Sequence, residues 1–104
     1  GGIWADGLSS IELGSSIVAY SVGGDCEILG QLDSRTALDT DFTCRVEFSG
    51  VDPVLDALSH NGGVTRTRLP GTSDVQDIGV CLLPEDQRHE PRPTKVCDLG
   101  AVEL

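Results

Sequence analysis

Ser10-Ile11-Glu12-Leu13-Gly14-Ser15-Ser16-Ile17-Val18-Ala19-Tyr20-Ser21-Val22 holds two short runs of partial alternation, Ile11/Leu13 and Ile17/Ala19, separated by Gly and Ser. A period of two puts successive side chains on opposite faces of an extended chain, so both runs predict strands. Gly2-Ile3-Trp4 adds a third apolar run just upstream. Three short strands joined by Gly/Asp or Gly/Ser breaks, within roughly 20 residues, have the shape of one circuit of a right-handed parallel β-helix. A small disulfide-bonded β-sandwich made of short hairpins carries the same pattern. Either way the expected class is all-β.

Outward from that stretch, residues 1–22 are expected to form a β-helix coil. Residues 23–50 are polar and acidic, with Asp25, Glu27, Asp33, Asp39, Asp41 and Glu47, and are expected to form a disulfide-tied loop region with one strand at Arg45 to Phe48. Asp52-Pro53-Val54-Leu55-Asp56-Ala57-Leu58 places an Asp before a Pro and has Gly62 beyond it. This suits one or two helical turns, or equally a Pro-led turn packing Leu55 and Leu58. From Leu69 onward Pro70-Gly71, Pro84 and Pro91-Arg92-Pro93 forbid continuous ladders, so residues 51–104 are expected to be an irregular C-terminal capping segment.

The chain has 104 residues, 7 Lys and Arg against 17 Asp and Glu, and a formal charge of −10. Such a surface repels phosphate backbones and anionic lipid, so neither nucleic acid nor a membrane surface is an expected partner. At this size only about two-thirds of the unfolded surface can be buried, and any core is thin. Apolar runs such as Ile78 to Leu83 fall far short of the ~20 residues that span a bilayer. The chain begins Gly1-Gly2-Ile3-Trp4 without Met or a charged leader, which reads as a processed piece of something longer.

Cys26, Cys44, Cys81 and Cys97 include no CxxC, and the two His residues stand at 60 and 89. Structural zinc wants closely paired ligands, so this spacing speaks against it. Four Cys in a short acidic chain fit an oxidising compartment, where disulfides stabilise what a thin core cannot. Three connectivities are possible. The sequential one, Cys26–Cys44 with Cys81–Cys97, closes two modest loops.

A longer series of residues resembles a known family. Asp52-Pro53-Val54-Leu55, Asn61-Gly62-Gly63-Val64-Thr65-Arg66-Thr67, Leu69-Pro70-Gly71, Cys81, Asp86-Gln87-Arg88, Pro91-Arg92-Pro93 and Cys97-Asp98-Leu99-Gly100-Ala101-Val102-Glu103 follow the order and near spacing of the C-terminal region of bacterial choice-of-anchor Q domain proteins. Upstream, Gly1-Gly2-Ile3-Trp4, Ser16-Ile17-Val18-Ala19 and Gly24-Asp25-Cys26 look like that family's last coil and first cysteine. Two departures stand out: His89 replaces a Gly after Asp-Gln-Arg, and Thr72-Ser73-Asp74-Val75-Gln76-Asp77 replaces Ser-Pro-Ala-Ile-Asp.

The resemblance implies the last coil and cap of a right-handed parallel β-helix, akin to pectate lyases and polymorphic outer-membrane proteins, at the bacterial cell surface or outside the cell. An open solenoid end needs a cover. The expected partner is therefore the remainder of a longer parent chain, or a second copy joined through Ile3, Trp4, Ile11, Leu13 and Ile17. The structural residues implied are the four Cys, Asn61, Gly62, Gly63, Asp86, Gln87, Arg88, Asp98 and Gly100.

Candidate chemistry is sparse. Asp33, Asp39 and Asp41, with Asp25 near them, could collect Ca²⁺, which takes six to eight oxygen ligands; a solvated acidic loop is the plainer reading, and no cofactor is expected otherwise. Arg66 and Arg68 could bind an anionic sugar, and Trp4 could stack on one, although beside Ile3 it is expected to fill the open core. Arg88 and Arg92 are expected to pair with Asp86 and Asp98 within the cap. His60 and His89 match no hydrolase motif. The expected role is thus non-enzymatic, in adhesion, surface architecture or assembly. The alternatives are the end of a polyuronate-lyase-like enzyme and a small secreted binder of sugar, metal or protein.

Overall fold

The computed structural model describes residues 2–104. Six short strands occupy the first part of the chain: β1 (Ile3–Ala5), β2 (Ser10–Gly14), β3 (Ile17–Val18), β4 (Cys26–Ile28), β5 (Gln31–Arg35) and β6 (Leu38–Asp39). They pair β1 with β4, β2 with β5 and β3 with β6, all in parallel. Register partners lie 23 residues apart in the first pair and 21 in the other two. The chain therefore makes one circuit of three strands and lays a second circuit on it in register. A single-residue bridge continues the third column, with Phe48 joining Leu38 in parallel.

The acidic stretch 23–50 is thus not only a disulfide-tied loop, as its polarity suggested. Cys26–Ile28, Gln31–Arg35 and Leu38–Asp39 are strands of the second circuit. Their outward positions carry charge, and that masks the period of two. Glu27, Gln31, Asp33 and Arg35 are exposed, while Cys26, Ile28, Leu32, Ser34 and Leu38 are buried or half-buried. The strand expected at Arg45 to Phe48 shrinks to the Phe48 bridge, because Arg45 adopts φ +54° and breaks the extended run.

The corner between the second and third strands repeats with the register. Ser15 and its counterpart Thr36 both adopt left-handed φ, +46° and +57°. Their hydroxyls lie 3.3 Å apart, one above the other. The corner before β5 is equally tight. A Cβ on Gly30 would lie 2.1 Å from the Ser9 carbonyl oxygen and 2.6 Å from that of Asp6. The first circuit's turn, folded by Asp6 accepting from the Leu8 N–H, therefore rests directly on the backbone of the second.

Residues 51–104 add a 3-10 turn at Ser73–Val75 and an antiparallel pair, β7 (Gly79–Val80) with β8 (Val96–Cys97). Thr72, in the departing stretch, caps the 3-10 turn through its hydroxyl, and Val75 is fully buried. No helix forms at 52–58. Asp52 instead accepts from the Val54 N–H, and the chain runs antiparallel to its own continuation through the Leu55–Pro70 and Ser59–Thr67 bridges.

The segment lies along a flank of both circuits. Val75 and Leu99 form a buried cluster with Leu38, against which Ile17, Phe48, Val51 and Ile78 pack. The Gly100 N–H donates to the Ser15 carbonyl (2.8 Å), and the Val80 N–H donates to the Thr36 hydroxyl (3.1 Å). The Tyr20 hydroxyl donates to Asp52 and accepts from the Leu55 N–H.

Both disulfides take the sequential pairing. Cys26–Cys44 has Cα atoms 4.8 Å apart, and Cys81–Cys97 5.2 Å. In the chain-entropy account each loop stabilises by about 3 kcal/mol. That is a large share for so thin a core.

Gly30→Ala should lower stability by about 2–3 kcal/mol, because the new methyl meets backbone that cannot move aside. Gly7→Ala, where a Cβ meets nothing within 4 Å, should change it by under about 0.5 kcal/mol. Paired urea titrations check both.

Candidate functional site

The densest polar constellation holds the C-terminal end of the chain. Asp86 is 5 % exposed, and its two oxygens accept from the N–H groups of Arg88 (2.7 Å), Glu90 (3.1 Å) and Glu103 (2.9 Å) and from Arg88 Nε (3.0 Å). Arg88 in turn donates to the Glu103 carbonyl (2.6 Å) and the Asn61 carbonyl (3.3 Å). Glu103 is therefore gripped by its own backbone from both sides.

Its side chain closes the circle, accepting from the Asp98 N–H (3.0 Å) and from Arg92 Nη1 (2.7 Å). Asp98, 2 % exposed, accepts from the N–H groups of Asp77 (2.9 Å) and Leu104 (2.7 Å). The expected Arg92–Asp98 carboxylate pair is replaced: Arg92 pairs with the Glu103 carboxylate and reaches Asp98 only at its carbonyl. The Asp98 carboxylate is occupied by backbone N–H groups.

Gly63 and Gly62 adopt φ +75° and +105° in the turn beside this network, and a Cβ on Gly63 would sit 2.7 Å from the Arg88 Cα. Asn61 donates its amide to the Thr67 carbonyl (2.9 Å) and hydroxyl (3.1 Å). The Gln87 N–H donates to the Ala101 carbonyl (2.9 Å), while its side chain reaches Thr65 (2.8 Å). Gly100 comes so close to Ile17 that a Cβ would lie 2.9 Å from its Cδ1. His89, standing where the resembled family carries Gly, keeps a glycine-like φ of +66°. The corner at His89 is therefore a tight turn.

The acidic loop is organised by the same chemistry. Asp25, fully buried, accepts from the Ser21 N–H (3.0 Å) and from the Thr40 N–H (2.8 Å) and hydroxyl (2.6 Å). Asp39, also fully buried, accepts from the N–H groups of Cys44 (2.6 Å) and Gly50 (3.1 Å). Asp41 accepts from the N–H groups of Asp25 (2.9 Å) and Thr43 (3.1 Å). Asp33 is apart from them, exposed on β5 opposite Glu12. The proposed Ca²⁺ ligands are thus split: Asp25, Asp39 and Asp41 act as backbone acceptors, and no His/Cys/Asp/Glu group suited to a metal ion occurs among the described residues.

Trp4 is 65 % exposed beside Glu27 on the outer face of β1, so it does not fill the core. Ala5, the next residue along and on the opposite face, is the buried residue of β1. His60 contacts Arg66 (3.4 Å) and His89 contacts Glu85 (3.0 Å), each in an exposed setting. Arg66 and Arg68 line a recess between the first circuit and the flank segment. Sequence reasoning named these arginines but missed the recess, whose other walls come from residues up to 85 positions apart in no readable motif.

Hydrogen bonding tunes the carboxylates. Burial pushes Asp86 up, but the donors from Glu103, Glu90 and Arg88 outweigh it and leave the acid below its ordinary range. Burial likewise pushes Asp25 up, and the donors from Thr40 and Ser21 overcome it and leave this acid below its ordinary range. The Thr43 hydroxyl lowers Asp41, and the Tyr20 hydroxyl lowers Asp52. None of this prepares a general acid or base near neutrality; every shift favours a permanently charged acceptor.

Comparison with family models, curated proteins and solved structures finds no match to this chain. No helix among the described residues is long and apolar enough to cross a membrane.

A carboxyl whose folded pKa is depressed stabilises the fold fully above its unfolded value and loses that contribution as pH falls through the folded one. The chain should therefore be flatly stable at neutral pH and unfold progressively below about pH 4. Asp86→Asn should cost about 3 kcal/mol at pH 7, and the gap from wild type should close as the pH drops below the folded value. Melting curves from pH 7 to pH 2 read both effects.

Proposed function

We propose that this chain is the end section of a right-handed parallel β-helix of the choice-of-anchor Q kind, secreted or displayed at a cell surface, whose task is structural: adhesion, surface architecture or assembly. The observation that carries this reading is the triple parallel pairing of β1–β3 with β4–β6 at spacings of 21 to 23 residues. Two disulfides fit an oxidising compartment.

The first circuit has an uncovered edge. Among the described residues β1 and β2 have a partner on one side only. In β2 the hydrogen bonds at Ser9 and Ser15 point to β5, so by alternation the N–H and carbonyl groups of Ser10, Glu12 and Gly14 point away from it. Ile3, Ile11 and Leu13 are only half-buried at that end. Ile17, grouped with them from sequence, is instead covered by the flank segment. A parallel strand from another coil, of a longer chain or a second copy, satisfies both the free backbone groups and the apolar residues.

The enzymatic alternative lacks comparable support. Arg88 and Arg92 are consumed by the carboxylates and carbonyls of the end network.

Glu12→Pro removes an N–H that faces away from β5 and blocks strand addition while leaving the β2–β5 bonds in place. Light scattering at increasing concentration should show the 104-residue chain exceeding 10.9 kDa, and Glu12→Pro returning it to a monomer. A wild-type chain that stays monomeric at millimolar concentration, with a melting curve unchanged by Glu12→Pro, would mean that the end of the first circuit needs no cover.

A further inference from the structure

Four arginines, Arg35, Arg45, Arg66 and Arg68, lie outside the end network without an ion pair among the described residues, and two of them, Arg66 and Arg68, share one recess. Arg66 and Arg68 have no carboxylate within 4.0 Å among the described residues, in a chain whose acids outnumber its Lys and Arg by 17 to 7. Arg66 uses only Nε, toward His60 (3.4 Å), and Arg68 only Nη1, toward the Asp56 carbonyl (2.9 Å). Both line a recess of about 290 Å³ where the flank segment meets the first circuit. Apolar residues from four parts of the chain, Ile17, Ala19, Leu55 and Val102 among them, make most of its remaining surface.

We propose that this recess binds the free C-terminal carboxylate of a peptide whose last side chain is aliphatic. Planar guanidinium forks match a carboxylate in geometry as well as charge. An apolar cavity of this size takes one side chain next to that charge. A chain carrying −10 repels polyanions, so a ligand with a single negative group is favoured over an acidic polymer. No aromatic residue lines the recess, so a sugar ring finds no stacking platform there.

The backbone adds a third element of recognition. Thr67 exchanges both of its main-chain hydrogen bonds with Ser59 (3.0 Å each). By alternation the main-chain groups of Arg66 and Arg68 point to the opposite side, where an extended peptide can pair with them. This site does not depend on what covers β1 and β2.

The test uses the 104-residue chain and fluorescent pentapeptides ending in Val, Leu or Ile, each as the free acid and as the amide, read by fluorescence polarisation. A free acid should bind, its amide should bind at least about tenfold more weakly, and Arg66→Gln and Arg68→Gln should each weaken the acid roughly tenfold. Arg35→Gln, a cation on β5 outside the recess, should leave binding unchanged, and an unaltered melting curve shows that the recess variants fold. Equal binding of acid and amide, or no binding by any peptide, overturns the proposal. So does trigalacturonate binding through Arg66 and Arg68 when the peptides do not, which would assign the recess to acidic sugar.

Discussion

In-register stacking of one three-strand circuit on another is the constraint from which the remaining structure follows. A one-residue slip of β5 against β2 would turn Leu32 and Ser34 outward and bring Gln31, Asp33 and Arg35 inward, so the register is fixed by burial rather than by strand length. Once it is fixed, Ser15 and Thr36 turn at the same place with the same left-handed backbone. Their stacked hydroxyls and carbonyls then become the anchor to which Val80 and Gly100 bind. Gly30 is required because the turn above leaves no room for a side chain.

What an ordinary domain obtains from a broad apolar core, this one obtains partly from carboxylates. The fully buried cluster comprises Leu38, Val75 and Leu99, while Asp25, Asp39, Asp86 and Asp98 are buried with every side-chain oxygen partnered. Each ties together backbone N–H groups of irregular segments that no strand ladder could satisfy. Part of the acidity that looks like a ligand-gathering surface in the sequence, Asp25 and Asp39, is therefore internal scaffolding. The cost is sensitivity to acid, since protonating Asp25 and Asp86, both held below the ordinary range, weakens acceptors that nothing else replaces.

The first circuit was legible because Ile11/Leu13 and Ile17/Ala19 alternate across a Gly14-Ser15-Ser16 break, with the short apolar run Ile3-Trp4 upstream. The second was not, because Glu27, Asp33 and Arg35 occupy its outer face and its apolar partners are few: Ile28, Leu32 and Leu38. The pairing of the cysteines could not be settled, since all three connectivities open to four cysteines satisfy the spacing. Asp86 and Arg88 were readable as a pair two residues apart. Their grip on Glu103, and the recess beside Arg66 and Arg68, arise from contacts between remote segments that no local pattern encodes.

Amide hydrogen exchange resolved by NMR tests the stacked register most directly. The Ile3, Gln31 and Leu38 N–H groups donate to Asp25, Ser9 and Ser16 across the two circuits. These amides should exchange only on global unfolding, whereas the N–H groups of Trp4 and Glu12, on the free edges of β1 and β2 in the monomer, should exchange through local fluctuations. Fast exchange at Gln31 and Leu38 under native conditions, or equal protection at Glu12 and Gln31 in a monomer, would contradict the account.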